Sequence, residues 1–157
     1  MYLEKTILRP ASEEDFPAIR ALIRIVGINP TGLDWHRFIV AVTPDDEMIG
    51  CGQVKPRADG TRELASIAVR PAYRQQGIAQ AIIDRLLAKN PPPLYLICRN
   101  GLGPFYERFG FRAIQESEMP PYFKRLTRAA RMFMRVNLLV MLREGDDHPV
   151  YPRVVDG

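Results

Sequence analysis

Between Val69 and Ala79 the chain reads Val-Arg-Pro-Ala-Tyr-Arg-Gln-Gln-Gly-Ile-Ala, a polar loop that leaves an apolar extended run and opens an apolar helical stripe. Such a turn suits phosphate. The first turn of a helix presents unpaired backbone N–H groups and a partial positive charge, and Gly77 lets a pyrophosphate approach with no side chain in the way. Arg74 adds a full positive charge beside it. The loop is neither a Walker loop, since no Gly-Lys-Ser/Thr follows, nor the three-glycine dinucleotide turn. Two ionisable side chains could move protons. Tyr106 carries a phenol, neutral at an ordinary pKa of about 10, that can donate to a developing anion. Glu63 carries a carboxylate on an extended run, and on a regular strand it shares a face with Ala65, Ile67 and Val69.

Positioning these groups takes a series of alternating elements. Thr6 to Arg9 reads as a strand, Ser12 and Asp15 approximate a capping box, and Phe16, Ile19, Leu22, Ile23 and Val26 recur at helical spacing. Pro17 conflicts with a helix that begins at Ser12, because its ring displaces an upstream carbonyl. Arg37 to Thr43, Met48 to Lys55 and Arg62 to Arg70 read as strands separated by Pro44-Asp45-Asp46 and Asp59-Gly60, which predicts an antiparallel meander. Ile78 to Lys89 reads as a helix stopped by Asn90 and three prolines. Then come a buried strand at Leu94 to Cys98, a short helix at Pro104 to Phe109 and a strand at Phe111 to Gln115. An inserted helix at Met119 to Arg135, packing through Leu126, Ala130 and Phe133, precedes a last strand at Arg135 to Arg143. The predicted class is mixed α/β.

With 157 residues and a typical domain of about 150, a single domain over residues 1–157 is expected, with a helical insert at 116–135 and a tail over 145–157. A composition of 46% apolar and 25% charged residues excludes disordered and collagen-like classes. The longest strongly apolar stretch, Val136 to Leu142, contains Asn137 and falls far short of the roughly 17–25 residues of a membrane span. Met1-Tyr2-Leu3-Glu4-Lys5 places an acid where a secretory signal wants a base, so a cytoplasmic location is expected. Cys51 and Cys98 have no neighbouring Cys or His at ligand spacing, and His36 and His148 are isolated. Reduced buried thiols and no metal are expected. The net charge of +4 suits an anionic ligand but is too small to argue for nucleic acid.

Arg74-Gln75-Gln76-Gly77-Ile78-Ala79 resembles the Arg/Gln-x-x-Gly-x-Gly/Ala loop of the GNAT superfamily, the general-control-type N-acetyltransferases. Ile67-Ala68-Val69-Arg70-Pro71 is similar to the family's fourth strand, and Gly103-Pro104-Phe105-Tyr106-Glu107-Arg108-Phe109-Gly110-Phe111 resembles its Phe-Tyr-Glu-x-x-Gly-Phe block. The order of elements over residues 6 to 115 is similar as well. The resemblance implies a twisted mixed sheet of about seven strands with splayed fourth and fifth strands, flanked by helices, and acetyl-CoA as cosubstrate. It implies that Arg74, Gln75, Gln76, Gly77, Ile78 and Ala79 hold the pyrophosphate, and that the main chain of Ile67, Ala68 and Val69 pairs with the pantetheine arm. Asn100, one place nearer to Tyr106 than the family's Asn, is a further pantetheine candidate. Tyr106 is implied as the acid for the leaving thiolate. Glu63 is implied as a base acting through water, as in histone-acetylating members. The implied reaction is direct attack by a primary amine of a small molecule or peptide, with no metal and no covalent enzyme intermediate; the family also admits a homodimer.

Two readings from other classes stand beside this one. A degenerate domain could bind acyl-CoA as a sensor without turnover. A nucleic-acid-binding module could use the Lys124 to Arg135 helix, although that helix lacks aromatic interleaving and any helix-turn-helix pattern. On the acetyltransferase reading, Gly27 to Trp35 and Glu116 to Arg135 choose the acceptor. Lys124, Arg125, Arg128, Arg131 and Arg135 would favour one that carries a carboxylate or phosphate besides its amine. The run Glu63 to Ala79, with Glu118-Met119-Pro120-Pro121 after the Gly-Phe block, loosely resembles amino-acid acetyltransferases of the N-acetylglutamate synthase type.

Overall fold

Four runs form strands in the first part of the chain: β1 (Ile7–Pro10), β2 (Phe38–Val42), whose five residues include Phe38, Ile39, Val40 and Val42, β3 (Met48–Pro56) and β4 (Arg62–Val69). Each is antiparallel to the next, as predicted. This computed structural model describes residues 5–145, and the chain divides into two compact units after Asn90. The tail beyond Gly145, with His148, lies outside the described residues.

In the first unit the Pro17 conflict resolves locally. A 3-10 turn at Glu13–Asp15 with a Ser12/Asp15 capping box precedes helix α1 (Phe16–Val26), so Pro17 falls in the first α-helical turn, where a missing N–H breaks no bond. Ile19, Leu22 and Ile23 of α1 meet Phe38, Val40, Val42, Met48, Cys51 and Ala68 in one core. Helix α2 (Ile78–Lys89) keeps its predicted bounds and packs on the opposite face of β3. Its approach is close because β3 offers glycines there. A Cβ on Gly52 would lie 2.5 Å from Ile67 Cδ1 and 2.9 Å from Ile82 Cγ2. The buried Ile78, Ile82, Ile83 and Leu86 of α2 contribute about 1.5–3 kcal/mol each in apolar burial.

One irregularity re-aims β4. Cys51 pairs with Ala68 but Gln53 with Ala65, so β4 carries an extra residue there, and Ser66 takes φ 59. A bulge inverts side-chain alternation on its two sides. Ile67 therefore faces Gly52 and α2, whereas Glu63 sits across from Lys55 on the Gln53 side. The expectation that Glu63 and Ala65 share a face with Ile67 and Val69 is corrected by this bulge.

The second unit comprises β5 (Leu94–Arg99), α3 (Gly103–Glu107), β6 (Arg112–Ala113), α4 (Pro121–Ala129) and β7 (Leu138–Arg143). β7 is antiparallel to both β5 and β6. β6 is shorter than the predicted Phe111 to Gln115, although Phe111 and Ile114 on either side of it are buried. The insert is helical as predicted but packs on a different stripe. Phe123, Thr127 and Ala130 are buried, with Phe123 against Ile114, Val140 and Leu142, and the Thr127 hydroxyl donates to the Phe123 carbonyl at 3.0 Å. Phe133 is 79% exposed, contrary to the expectation that it packs. The last turn, Ala130–Met134, is a π-helix ending at left-handed Arg135, and its i→i+5 spacing carries Phe133 off the stripe that Ala130 continues. Seven strands with helices packed on them give the mixed α/β class expected.

Candidate active site

The loop from β4 into α2 is held at its base by Arg70, whose N–H bonds the Ile49 carbonyl at 2.8 Å and whose Nε bonds the Met48 carbonyl at 2.7 Å. After a 3-10 turn at Pro71–Tyr73, Gln75 (φ 63) and Gly77 (φ 81) are both left-handed. Two left-handed residues flanking Gln76 turn the chain sharply into α2, and turns of this kind form anion-binding concavities when successive backbone N–H groups converge. A Cβ makes this conformation costly, by about 1–2 kcal/mol, which is why glycine serves at Gly77 and why Gln75 marks stored strain. The N-cap of α2, Gly77, has no side chain to cap it, and among the described residues no side-chain cap satisfies the first-turn N–H groups. Arg74 is exposed and makes no ion pair among the described residues; Gln75 and Gly77 are exposed, Gln76 and Ala79 half-buried, and Ile78 buried. These are the six positions singled out from sequence, and the fold gathers them on one turn. Ile67, Ala68 and Val69 follow the bulge, with Ala68 and Val69 still paired to Cys51 and Gly50 of β3.

Glu63 is buried and ion-paired. Arg57 donates to Glu63 Oε1 through both Nε (2.9 Å) and a terminal nitrogen. Directly across the strands lies Lys55, 4% exposed, beside Gln53, 0% exposed. Burial pulls the Lys55 pKa below its usual value; the charge of Glu63 opposes this, and Arg57 and Arg37 add to the fall. The Gln53 amide donates to the Gly32 carbonyl (3.2 Å) and to Ser66 Oγ (2.9 Å), while its Oε1 is buried with no partner among the described residues. Sequence reasoning passed over Gln53, Lys55 and Arg57. The signal was there: two polar residues alternating with Gly52 and Val54 on the middle strand of a meander cannot both face water once a loop covers that side.

In the second unit Tyr106 lies on α3, half-buried, with Phe105 and Phe111 edge-on to its ring at 5.0 and 6.4 Å. Burial pushes its phenol up to about 12, with a smaller contribution from Cys98. Asn100 opens an exposed 3-10 turn, Asn100–Leu102, just before α3. Burial also raises Cys51 to about 12 and Cys98 to about 11, so neither thiol supplies a thiolate at neutral pH. Among the described residues no group of His, Cys, Asp and Glu is arranged to hold a metal ion, and no helix is long and apolar enough to cross a membrane.

A family model described as an acetyltransferase (GNAT) domain matches residues 34–113, about half of the chain. No curated protein matches it in sequence. Among solved structures, N-acetylglutamate synthase from Neisseria gonorrhoeae, complexed with coenzyme A and N-acetyl-glutamate, aligns with a TM-score of 0.70 at 22% identity, over 88% of this chain and 34% of that one. The present chain thus spans about a third of the synthase chain. Rv2747 from Mycobacterium tuberculosis, in complex with CoA and a second ligand, aligns with a TM-score of 0.71 at 24% identity, over 87% of this chain and 97% of that one. Escherichia coli ElaA gives 0.65 at 18% identity, over 88% and 99%. At these identities the likeness is one of fold. Because the matched span contains both the strained loop at Arg74 to Ala79 and Tyr106, the chain belongs to the GNAT acetyltransferase family.

Proposed function

We propose that this chain transfers acetyl from acetyl-CoA to a primary amine of a small molecule or peptide by direct attack of the neutral amine on the thioester. The observation that carries this is the loop: an uncapped helix start, two left-handed residues and an unpaired Arg74 form an anion seat within the family span. Backbone N–H groups from Gln75 to Ala79 take the pyrophosphate, with the charge of Arg74 beside them. The main chain of Ile67, Ala68 and Val69 is read as the partner of pantetheine, and Asn100 as a further contact. That two solved relatives hold coenzyme A supports the choice of cosubstrate.

Tyr106 meets the leaving sulfur. With its phenol at about 12 and an ordinary thiol near ~8.5, full transfer of its proton is uphill, so it stabilises the thiolate by a hydrogen bond. Glu63, its Oε1 held by Arg57, receives the first proton, that of the ammonium, through water before attack. A second N–H proton, released as the C–S bond breaks and the amide forms, neutralises the thiolate. The two units are read together as one domain because the family span crosses residue 90. The cytoplasm remains the expected compartment, in keeping with two free thiols.

Calorimetry with acetyl-CoA tests the loop. Gly77→Glu places bulk and negative charge against the pyrophosphate and is expected to abolish binding while the fold persists. Wild-type affinity in a folded Gly77→Glu variant would put the site elsewhere. Binding without acetylation of any amine would favour the sensor.

A further inference from the structure

Inside the first unit one buried ammonium, that of Lys55 at 4% exposure, has no ion pair at contact distance among the described residues, and the one carboxylate facing it, Glu63, has Oε1 occupied by Arg57. Arg37, the other cation acting on Lys55, has its own partner in Asp34 at 3.7 Å. Arg57, not Lys55, is the cation in contact with the Glu63 carboxylate, and a buried ammonium without a counter-ion at contact distance is costly. Beside it the Gln53 Oε1, an acceptor, is buried and unpartnered, which is costly in the opposite sense because it lacks a donor. A missing anion and a missing N–H lie on neighbouring side chains of the same strand face.

One class of molecule supplies both groups on adjoining atoms. An α-amino acid brings a carboxylate for Lys55 and an N–H for Gln53 Oε1. A phosphate monoester brings the anion without the donor, and a polyamine adds a further cation. We propose that Gln53 and Lys55, with Arg57 and Glu63 alongside, form the seat of an α-amino-acid acceptor, Lys55 holding its carboxylate and Gln53 Oε1 an N–H of its amine. The inference rests on the acetyl-transfer reading and names the acceptor class. Glu63, cross-strand from Lys55, is then next to the amine whose proton it receives. Gly32 roofs the seat: a methyl group there would lie 3.4 Å from Lys55 Nζ, and its carbonyl is tied to Gln53. The amino acid enters as that bond opens.

The test compares L-glutamate, L-glutamine and L-arginine with their decarboxylated counterparts 4-aminobutyrate, 4-aminobutanamide and agmatine, together with a peptide pool, by mass spectrometry and steady-state kinetics. Wild type is expected to favour at least one amino acid over its counterpart by about 100-fold or more in kcat/KM. Lys55→Met should cut that preference at least tenfold by raising the amino-acid KM, with the acetyl-CoA KM unchanged, and Lys55→Arg should recover part of it. Because Met replaces an uncompensated buried charge, the melting temperature of Lys55→Met should not fall, which keeps the variant interpretable. Equal turnover of both members of each pair, acetylation confined to peptides, or a preference that survives Lys55→Met would overturn the seat and leave acetyl transfer standing. Acetyl-CoA binding with no acetylated product from any amine would overturn both.

Discussion

A phenol raised to about 12 by burial holds its proton throughout the physiological range, which on the proposed reading makes Tyr106 a hydrogen-bond donor to the leaving sulfur. Tyr106→Phe is expected to lower kcat by roughly 10- to 1000-fold with little change in acetyl-CoA affinity. Unchanged turnover under conditions where chemistry limits the rate would return Tyr106 to packing with Phe105 and Phe111. Asp15 is a purely structural counterpart. The hydrogen bonds from Arg9 hold its carboxyl down at about 2, with Ser12 helping, whereas the unfolded value is near ~3.9. A depressed folded pKa means stability that is fully present above the unfolded value and lost as pH falls toward about 2. Asp15→Asn should therefore cost about 1–2 kcal/mol near neutrality, and denaturant titrations should show that gap closing in acid. An equal gap at both pH values would show that the ionised carboxyl is not what holds this turn. The loop residues were legible in sequence because a glycine and a helix start identify them locally. Gln53 and Lys55 were not, since their burial depends on β2, β4 and Gly32 closing around them from distant positions.

At the scale of elements, local punctuation was enough wherever an end is set by its own residues. Gly77 and Asn90 bound α2 where the sequence places them, and the Ser12/Asp15 box explains how Pro17 is tolerated. Two features could not be read. The extra residue at Ser66 leaves a strand pattern that looks regular, because only pairing with β3 reveals that the register has shifted. The π turn at Ala130–Met134 leaves a helical pattern unbroken while rotating Phe133 outward. The contact between α2 and β3 gives a direct test of the glycine argument. Gly52→Ala should destabilise by about 1–3 kcal/mol through overpacking, since its methyl group meets Ile67, Ile82 and Leu86 at once. Gly101→Ala, with nothing within 4 Å of its Cβ, serves as the neutral control. Equal midpoints for the two variants in chemical denaturation would mean that α2 yields at that point and that glycine is not required for the approach.

For the molecule as a whole, the net charge is +4; acetyl-CoA is an anion, and on the proposed reading an acidic acceptor such as L-glutamate is one too, so attraction at a distance adds to whatever the seats do at contact. The insert is the densest source of that field, although Glu116 already pairs with Arg128 and lies 3.9 Å from Arg131. Exposed charges are screened over about 10 Å at 0.1 M salt and about 3 Å at 1 M, while buried ones are screened much less. Replacing Lys124, Arg125 and Arg128 by Gln removes three positive charges from the +4 without touching the buried Phe123, Thr127 and Ala130. The melting temperature should hold. With L-glutamate as acceptor, the kcat/KM of this triple variant should lie below wild type at low ionic strength and converge with it at about 1 M salt. Lys55→Met should behave in the opposite way, because Lys55 is 4% exposed and its loss at the acceptor step should persist across the same salt series. If the Lys55→Met deficit fades with salt as the triple variant's does, Lys55 acts as one more distant charge and not as a contact. If the triple variant's deficit persists at high salt, the basic insert itself touches the acceptor.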